Sequence, residues 1–184
     1  MARKIVVLNG SPRAKGNTAG LVEAFAQGAR AAGAEVARFD LQKLDIHPCL
    51  GCFGGGKDEE SPCVQKDGMG DIYPAYREAD VVALASPLYY WSISGQLKCA
   101  FDRLFAVAEC NEDYANPVKE AVLFMAAEGD GFEESEHWYD RLMGHLGWTD
   151  RGKVLAGGVV DVGDIAGHAE LAEAEALGRT VARG

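Results

Sequence analysis

Ile5-Val6-Val7-Leu8-Asn9-Gly10-Ser11-Pro12-Arg13-Ala14-Lys15-Gly16-Asn17-Thr18 is the stretch whose reading decides the fold. Four consecutive apolar residues stop abruptly at Asn9-Gly10, the pattern of a short strand buried on both faces. Polar and glycine-rich residues follow, and then Leu21, Ala24, Phe25 and Gly28 recur at helical spacing, with Gly33 placed to end that helix in a left-handed conformation. The same alternation repeats outward along the chain. Val36 to Leu41 reads as a second, weakly patterned strand at a sheet edge. Residues 45 to 67 are irregular, and Met69 to Ala79 reads as a short helix despite Pro74. Val81 to Ala85 is expected as the third strand, ended by Ser86-Pro87. Ile93, Leu97, Ala100, Phe101, Leu104 and Phe105 trace a helix that Ser92 is placed to cap. Ala121 to Ala127 is expected as the fourth strand, with a helix from about Phe132 to Leu146. Val154 to Val160 is expected as the fifth strand, and Ile165 to Val181 as the last helix. Strands alternating with helices imply an α/β protein with a doubly wound five-stranded parallel sheet. Right-handed crossovers and this strand count favour the order 2-1-3-4-5.

The chain has 184 residues, which suits one domain over positions 1–184. Its formal net charge of −10 argues against a nucleic-acid partner, which requires a basic surface. The longest apolar run, Ala121 to Ala127, is far too short to cross a bilayer. Apolar residues near the start give way to Asn9-Gly10 too early for a signal peptide. A cytoplasmic location is therefore expected, and with five cysteines, an odd number, a disulfide framework is not.

In a sheet of this order, ligands bind beyond the carboxyl ends of the strands, where the order reverses between the first and third. The two most unusual loops fall there. In the first, Ser11, Arg13, Gly16, Asn17 and Thr18 gather hydroxyls, an amide, a cation and free backbone N–H groups at a helix N-terminus, an anion site by geometry and dipole. The Walker pattern is excluded because Asn17, not Lys-Ser/Thr, follows Gly16. The dinucleotide fingerprint is excluded by Pro12, so a terminal monophosphate suits the loop better than a pyrophosphate. An ordinary polar turn is the competing reading. The second loop is Ser86-Pro87-Leu88-Tyr89-Tyr90-Trp91-Ser92. Its three successive aromatics cannot all face the core, and a flat heterocycle would bury them with a stacking gain of about 0.5–1.5 kcal/mol. Glu128-Gly129, after the fourth strand, is placed to approach the same ligand through its backbone, or is a simple turn.

Gly-Ser-Pro-Arg-x-x-Gly-Asn-Thr at 10–18, Ser-Pro-x-Tyr at 86–89 and Ser94-Gly95-Gln96-Leu97-Lys98 together resemble the NAD(P)H-dependent FMN reductase family, of flavodoxin-like fold. Within it the chain is most similar to the iron–sulfur flavoprotein branch. The resemblance implies an FMN phosphate on Ser11, Arg13, Asn17 and Thr18, and an isoalloxazine ring beside Pro87 to Ser92. It also implies NAD(P)H as a transient reductant and homo-oligomers, dimer or tetramer, formed around the flavin.

That branch carries four cysteines at the place where this chain has Cys49, Cys52 and Cys63, and here Gly55 holds the third position. A four-iron cluster normally needs four thiolates, so Gly55 counts against one. The remaining readings are metal-free cysteines, a zinc site completed by His47, or a Cys49–Cys52 dithiol. Cys99 and Cys110 read as small core residues.

The favoured function is an enzyme that passes electrons from a nicotinamide through FMN to a flavin, a quinone or another acceptor, with no obligatory acid–base side chain, since the cofactor carries the chemistry. Its rival is an FMN-binding electron carrier without turnover of a small substrate, for which the acidic surface suits steering toward a basic partner. A third reading, a metal or redox sensor, rests on the three cysteines alone.

Overall fold

The computed structural model describes residues 2–184. Five strands, β1 (Lys4–Asn9), β2 (Glu35–Asp40), β3 (Val81–Pro87), β4 (Glu120–Ala126) and β5 (Thr149–Ala156), form one sheet of order β2-β1-β3-β4-β5. Every neighbouring pair is parallel. The helices are α1 (Asn17–Ala31), α2 (Met69–Glu78), α3 (Gly95–Arg103), α4 (Phe105–Ala108), α5 (Glu133–Leu146) and α6 (Ala169–Val181).

The central strands read as continuous apolar runs because both of their faces are covered. Along β1, Ile5 and Val7 enter one core with Phe25 of α1, Val122 and Phe124 of β4, and Val181 of α6. Val6 and Leu8 point the other way, into a core with Ile72 and Tyr76 of α2, Leu97 of α3 and Tyr139 of α5. The first core depends on a close crossing of α1 and α6. A β-carbon at Gly178 would collide with the Phe25 carbonyl oxygen, and one at Gly28 with that of Glu175, so each helix presents a glycine where the other's backbone passes.

Three expectations need correction. The fifth strand begins at Thr149, five residues before its apolar part, and stops at Ala156. Its first half, Thr149-Asp150-Arg151-Gly152-Lys153, is polar because it is an edge strand, and a register irregularity against Ala121 to Leu123 breaks its alternation. The last helix starts at Ala169, because residues 161–167 turn back toward the first loop before it begins. The third strand continues through Ser86-Pro87, where Pro87 pairs with Ala126 after the neighbouring β1 has ended, so its missing N–H costs little. Pro74 lies inside α2, which is held by the burial of Met69, Ile72, Tyr73 and Tyr76.

Candidate functional site

The ends of β1, β3, β4 and β5 converge on one side of the sheet, and their loops are sewn together by backbone hydrogen bonds. Gly10 N–H donates to the Ala85 carbonyl at 2.8 Å, and Leu88 N–H to that of Ala126 at 3.0 Å. Ala127 N–H donates to Ala156 at 2.9 Å, and Val159 N–H returns to Ala127 at 3.0 Å. A cavity of about 290 Å³ lies above these ends. Ser11, Arg13, Gly16, Asn17 and Thr18 line it, together with Pro87, Leu88, Tyr89 and Glu128. Nine of the expected binding residues are thus brought to one place. Tyr90, Trp91, Ser92 and Gly129 lie outside its lining.

The first loop is shaped by its own side chains. Asn9 is buried. Its Oδ1 accepts from Ser11 N–H at 3.2 Å while its Nδ2 donates to Asp40 Oδ1 at 2.9 Å. Ser11 Oγ accepts from Arg13 N–H at 3.3 Å and closes the next turn. Gly16 then opens α1, which has no side-chain cap and no acidic residue in its first turn. The first N–H groups of a helix have no intrahelical partner, so this end presents bare donors and a positive dipole to the cavity. A β-carbon at Gly16 would stand 2.9 Å from Arg13 Cβ and 3.2 Å from Ser11 Oγ, inside the cradle the loop forms. Such an end suits an anion.

Sequence reasoning missed the residues that hold this loop from above. Arg13 Nη1 donates to the Val160 carbonyl at 2.9 Å and Asn17 Nδ2 to that of Asp161 at 3.0 Å. Asn17 Oδ1 in turn accepts from Ile165 N–H at 3.2 Å. Val159 and Val160 line the cavity together with Ala126 and Ala127. The expected fifth strand ran on through Gly157-Gly158 to Val160, and these partners act through main-chain carbonyls, which no side-chain pattern encodes.

The second loop folds into a two-residue hairpin turn. Tyr89 and Ser92 exchange hydrogen bonds of 2.9 and 3.1 Å. Between them, Tyr90 and Trp91 have φ of 49° and 58°. That turn type asks for Asn-Gly, and bulky residues there carry strain of order 1–3 kcal/mol each, a feature that collects at binding sites. Tyr90 is 94% exposed and Trp91 64%. Trp91 is fastened at its carbonyl by Ser135 Oγ at 3.1 Å, and its ring passes over Gly131. The helix after this turn is capped by Ser94, not by the expected Ser92. Ser94 is buried and its Oγ accepts from Leu97 N–H at 3.2 Å and donates to the Gly10 carbonyl at 2.9 Å. Its N–H donates to Ser86 Oγ at 2.7 Å. One serine thus ties the first loop to the second.

A family model of NADPH-dependent FMN reductases matches residues 3–159. The chain belongs to this family. Membership places it among flavin-based oxidoreductases and electron-transfer proteins. An iron-sulfur flavoprotein of Archaeoglobus fulgidus is 28% identical over 179 residues, which cover 97% of this chain and 79% of that protein. One of Methanosarcina thermophila is 30% identical over 132 residues, 72% of this chain and 68% of that protein. Among solved structures, the NAD(P)H:quinone oxidoreductase of Methanothermobacter marburgensis superposes with a TM-score of 0.77 at 21% identity. That match covers 98% of this chain and 100% of that one. An FMN-dependent NADH-azoreductase of Bacillus anthracis in complex with FMN reaches 0.71 at 13% identity, covering 98% and 99%. These structures share the flavodoxin-like fold. No helix among the described residues is long and apolar enough to cross a membrane.

Cys49, Cys52 and Cys63 are all free and line a separate, smaller cavity. The loop that carries them is fixed by Arg103 of α3. Its guanidinium is 1% exposed and grips Asp67 through Nη1 at 2.7 Å and Nη2 at 3.1 Å, with a further bond to the His47 carbonyl at 2.8 Å. Burial raises the Asp67 pKa, but Arg103 and the backbone N–H groups of His47 and Met69 outweigh it, and the carboxyl stays below its usual range.

Proposed function

We propose that the 290 Å³ cavity holds FMN and that the protein is an FMN-dependent NAD(P)H oxidoreductase, passing electrons from a nicotinamide to a flavin, a quinone or a similar acceptor. The observation that carries this reading is one cavity lined by two chemically different sets of residues. Ser11, Arg13, Asn17 and Thr18 come from the loop and bare N-terminus of α1, and Pro87, Leu88 and Tyr89 from the loop after β3. A molecule with a phosphate tail and a flat apolar ring matches both. Bound there, FMN supplies the two-electron chemistry. The chain's own part is to bind, orient and shield. Arg13 and the first N–H groups of α1 neutralise the phosphate. Leu88, Ala126 and Val159 exclude water from one side of the ring, and the exposed Tyr90-Trp91 turn stands at the rim, where a donor or acceptor arrives. No side chain is assigned a proton-transfer step. We place the protein in the cytoplasm as a homodimer or homotetramer, with small-molecule donor and acceptor as its partners and neither nucleic acid nor membrane.

The test is an absorbance spectrum of the anaerobically purified chain before and after NADPH is added. Flavin bands that bleach support the reductase. Bands that ignore both NADPH and NADH replace it with the electron carrier. A colourless protein that takes up no added FMN refutes the reading altogether.

A further inference from the structure

The first loop of the 290 Å³ cavity is held by two residues that do not line it. β1 and β2 end side by side, and their parallel register pairs Asn9, the last residue of β1, with Asp40, the last of β2. Asn9 is 1% exposed, so water cannot replace either of its partners.

An amide presents a donor at one end and an acceptor at the other, and a half-turn about its last torsion exchanges them. Asn9 has the two ends committed to different groups. Oδ1 accepts from Ser11 N–H at 3.2 Å, and Nδ2 donates to Asp40 Oδ1 at 2.9 Å. Turned over, the amide would aim Nδ2 at Ser11 N–H, donor against donor, and leave both buried without an acceptor. Asp40 forbids that orientation, because an ionised carboxylate only accepts. Burial raises its pKa, but hydrogen bonds from Lys43, Asn9 and Arg38 outweigh this and hold it at about 2, so it stays ionised at neutral pH. Arg38 Nε donates to the same Oδ1 at 2.8 Å, and Lys43 Nζ to Oδ2 at 2.8 Å. Two cations thus meet a charge that would otherwise oppose an anion in the adjoining loop.

From Asn9 the order passes along the chain. With its N–H held, Ser11 turns its hydroxyl to Arg13, accepting from Arg13 N–H at 3.3 Å and donating to the Arg13 carbonyl at 3.2 Å. That carbonyl also accepts from Gly16 N–H at 3.0 Å, and the turn so closed leads into α1. The groups proposed to meet the phosphate therefore follow a turn whose first fixed point is the Asn9 amide.

We propose that Asp40 is a positioning residue for the flavin phosphate: by fixing the Asn9 amide it sets the turn from Ser11 to Gly16, and with it the preference for FMN over riboflavin. This role rests on the flavin reading of the cavity and adds to it what makes the site choose a phosphorylated flavin. Asp40 acts through Asn9 and lies outside the cavity lining.

FMN and riboflavin are titrated by flavin fluorescence into the flavin-free full chain, with circular dichroism to check the folding of each variant. Riboflavin carries the same ring and ribityl chain without the phosphate. The ratio of the two affinities therefore reads the phosphate loop and cancels a general loss of folded protein. Asp40→Ala is expected to lower that ratio about 10-fold, the effect of losing roughly one hydrogen bond to the phosphate. Asp40→Val, whose side chain suits a strand, is read in the same way, so poor folding of the alanine variant does not decide the matter. Asp40→Asn keeps an oxygen for Asn9 and Arg38 and is expected to stay within about 2-fold of wild type. Asn9→Ala should lose at least as much as Asp40→Ala, and the double variant no more than Asn9→Ala alone, because both act through one bond. An unchanged ratio in Asp40→Ala and Asp40→Val overturns the role of Asp40 and leaves the flavin reading standing. So does a loss in Asp40→Asn as large as in Asp40→Ala, or losses that multiply in the double variant. A wild-type chain that takes up no FMN, or takes up riboflavin equally well, refutes the phosphate site itself and the role of Asp40 with it.

Discussion

Ser94→Ala tests whether a single hydroxyl locks the two ligand loops together. The substitution removes the cap of α3, the bond that Leu97 N–H makes to Ser94 Oγ, worth about 1 kcal/mol. It also strips the Gly10 carbonyl of its donor. Gly10 and this bond are buried, and an unsatisfied polar group there costs about 1–3 kcal/mol. The Ser94 N–H bond to Ser86 survives, because it uses the main chain. The sum is about 3 kcal/mol, which for a chain of this length lowers Tm by roughly 6–12 °C. Urea unfolding followed by circular dichroism should show a lower midpoint at unchanged slope. Ser92→Ala is the internal control. Ser92 is exposed and joins its turn through backbone groups alone, so its loss should stay within about 0.5 kcal/mol. A Ser92→Ala variant that loses more stability than Ser94→Ala would refute the assignment of the cap and the link between the loops.

Arg13→Ala should weaken FMN binding roughly 10- to 150-fold, the worth of one charge-assisted hydrogen bond, and change riboflavin binding only a few-fold. Equal losses for the two flavins in a fluorescence titration would remove Arg13 from the phosphate. Replacing Tyr90-Trp91 by Asn-Gly should stabilise the flavin-free protein by about 2–6 kcal/mol through relief of the left-handed backbone, and change FMN affinity by less than about 2-fold, since neither side chain lines the cavity. A flavin-free variant no more stable than wild type in thermal unfolding counts against stored strain. At Asp40, burial pushes the carboxyl pKa up, but hydrogen bonds from Lys43, Asn9 and Arg38 prevail and hold it at about 2. Its folded pKa is therefore depressed, so its contribution is present above about pH 4, the unfolded value, and is lost as pH falls toward about 2. Asp40→Asn should lower stability at neutral pH and flatten the acid limb of the stability curve between those values, as read from urea midpoints.

How much of this was legible in the sequence follows from what carries each feature. β1, β3 and β4 are covered on both faces, so burial demanded continuous apolar runs, and runs such as Ile5 to Leu8 are visible without any partner in view. The first half of β5 lies at the edge, and Thr149 to Lys153 had no such demand to reveal it. The first loop was legible because its donors are consecutive and open a helix. The cap of α3 was misplaced by two residues because serines stand on both sides of Ile93. Only the hairpin bend at Tyr90-Trp91 decides which of them reaches the helix, and aromatic residues give no warning of a turn that favours Asn-Gly.

The features that stayed hidden are those that one part of the chain supplies to another. The Val160 and Asp161 carbonyls that hold Arg13 and Asn17 lie more than a hundred residues away and carry no side-chain signature. Glu109 is the sharper case. In sequence it is an unremarkable acid beyond a helix, 54 residues from Gly55, and the gap in the cysteine pattern reads as the loss of a ligand. In three dimensions Gly55 N–H donates to Glu109 Oε1 at 3.3 Å, and a β-carbon at position 55 would collide with Oε2 of the same carboxylate. A missing ligand in a motif is therefore evidence about one position only. Whether a position has room for a side chain depends on what the fold brings beside it, and at Gly55 the fold brings the Glu109 carboxylate.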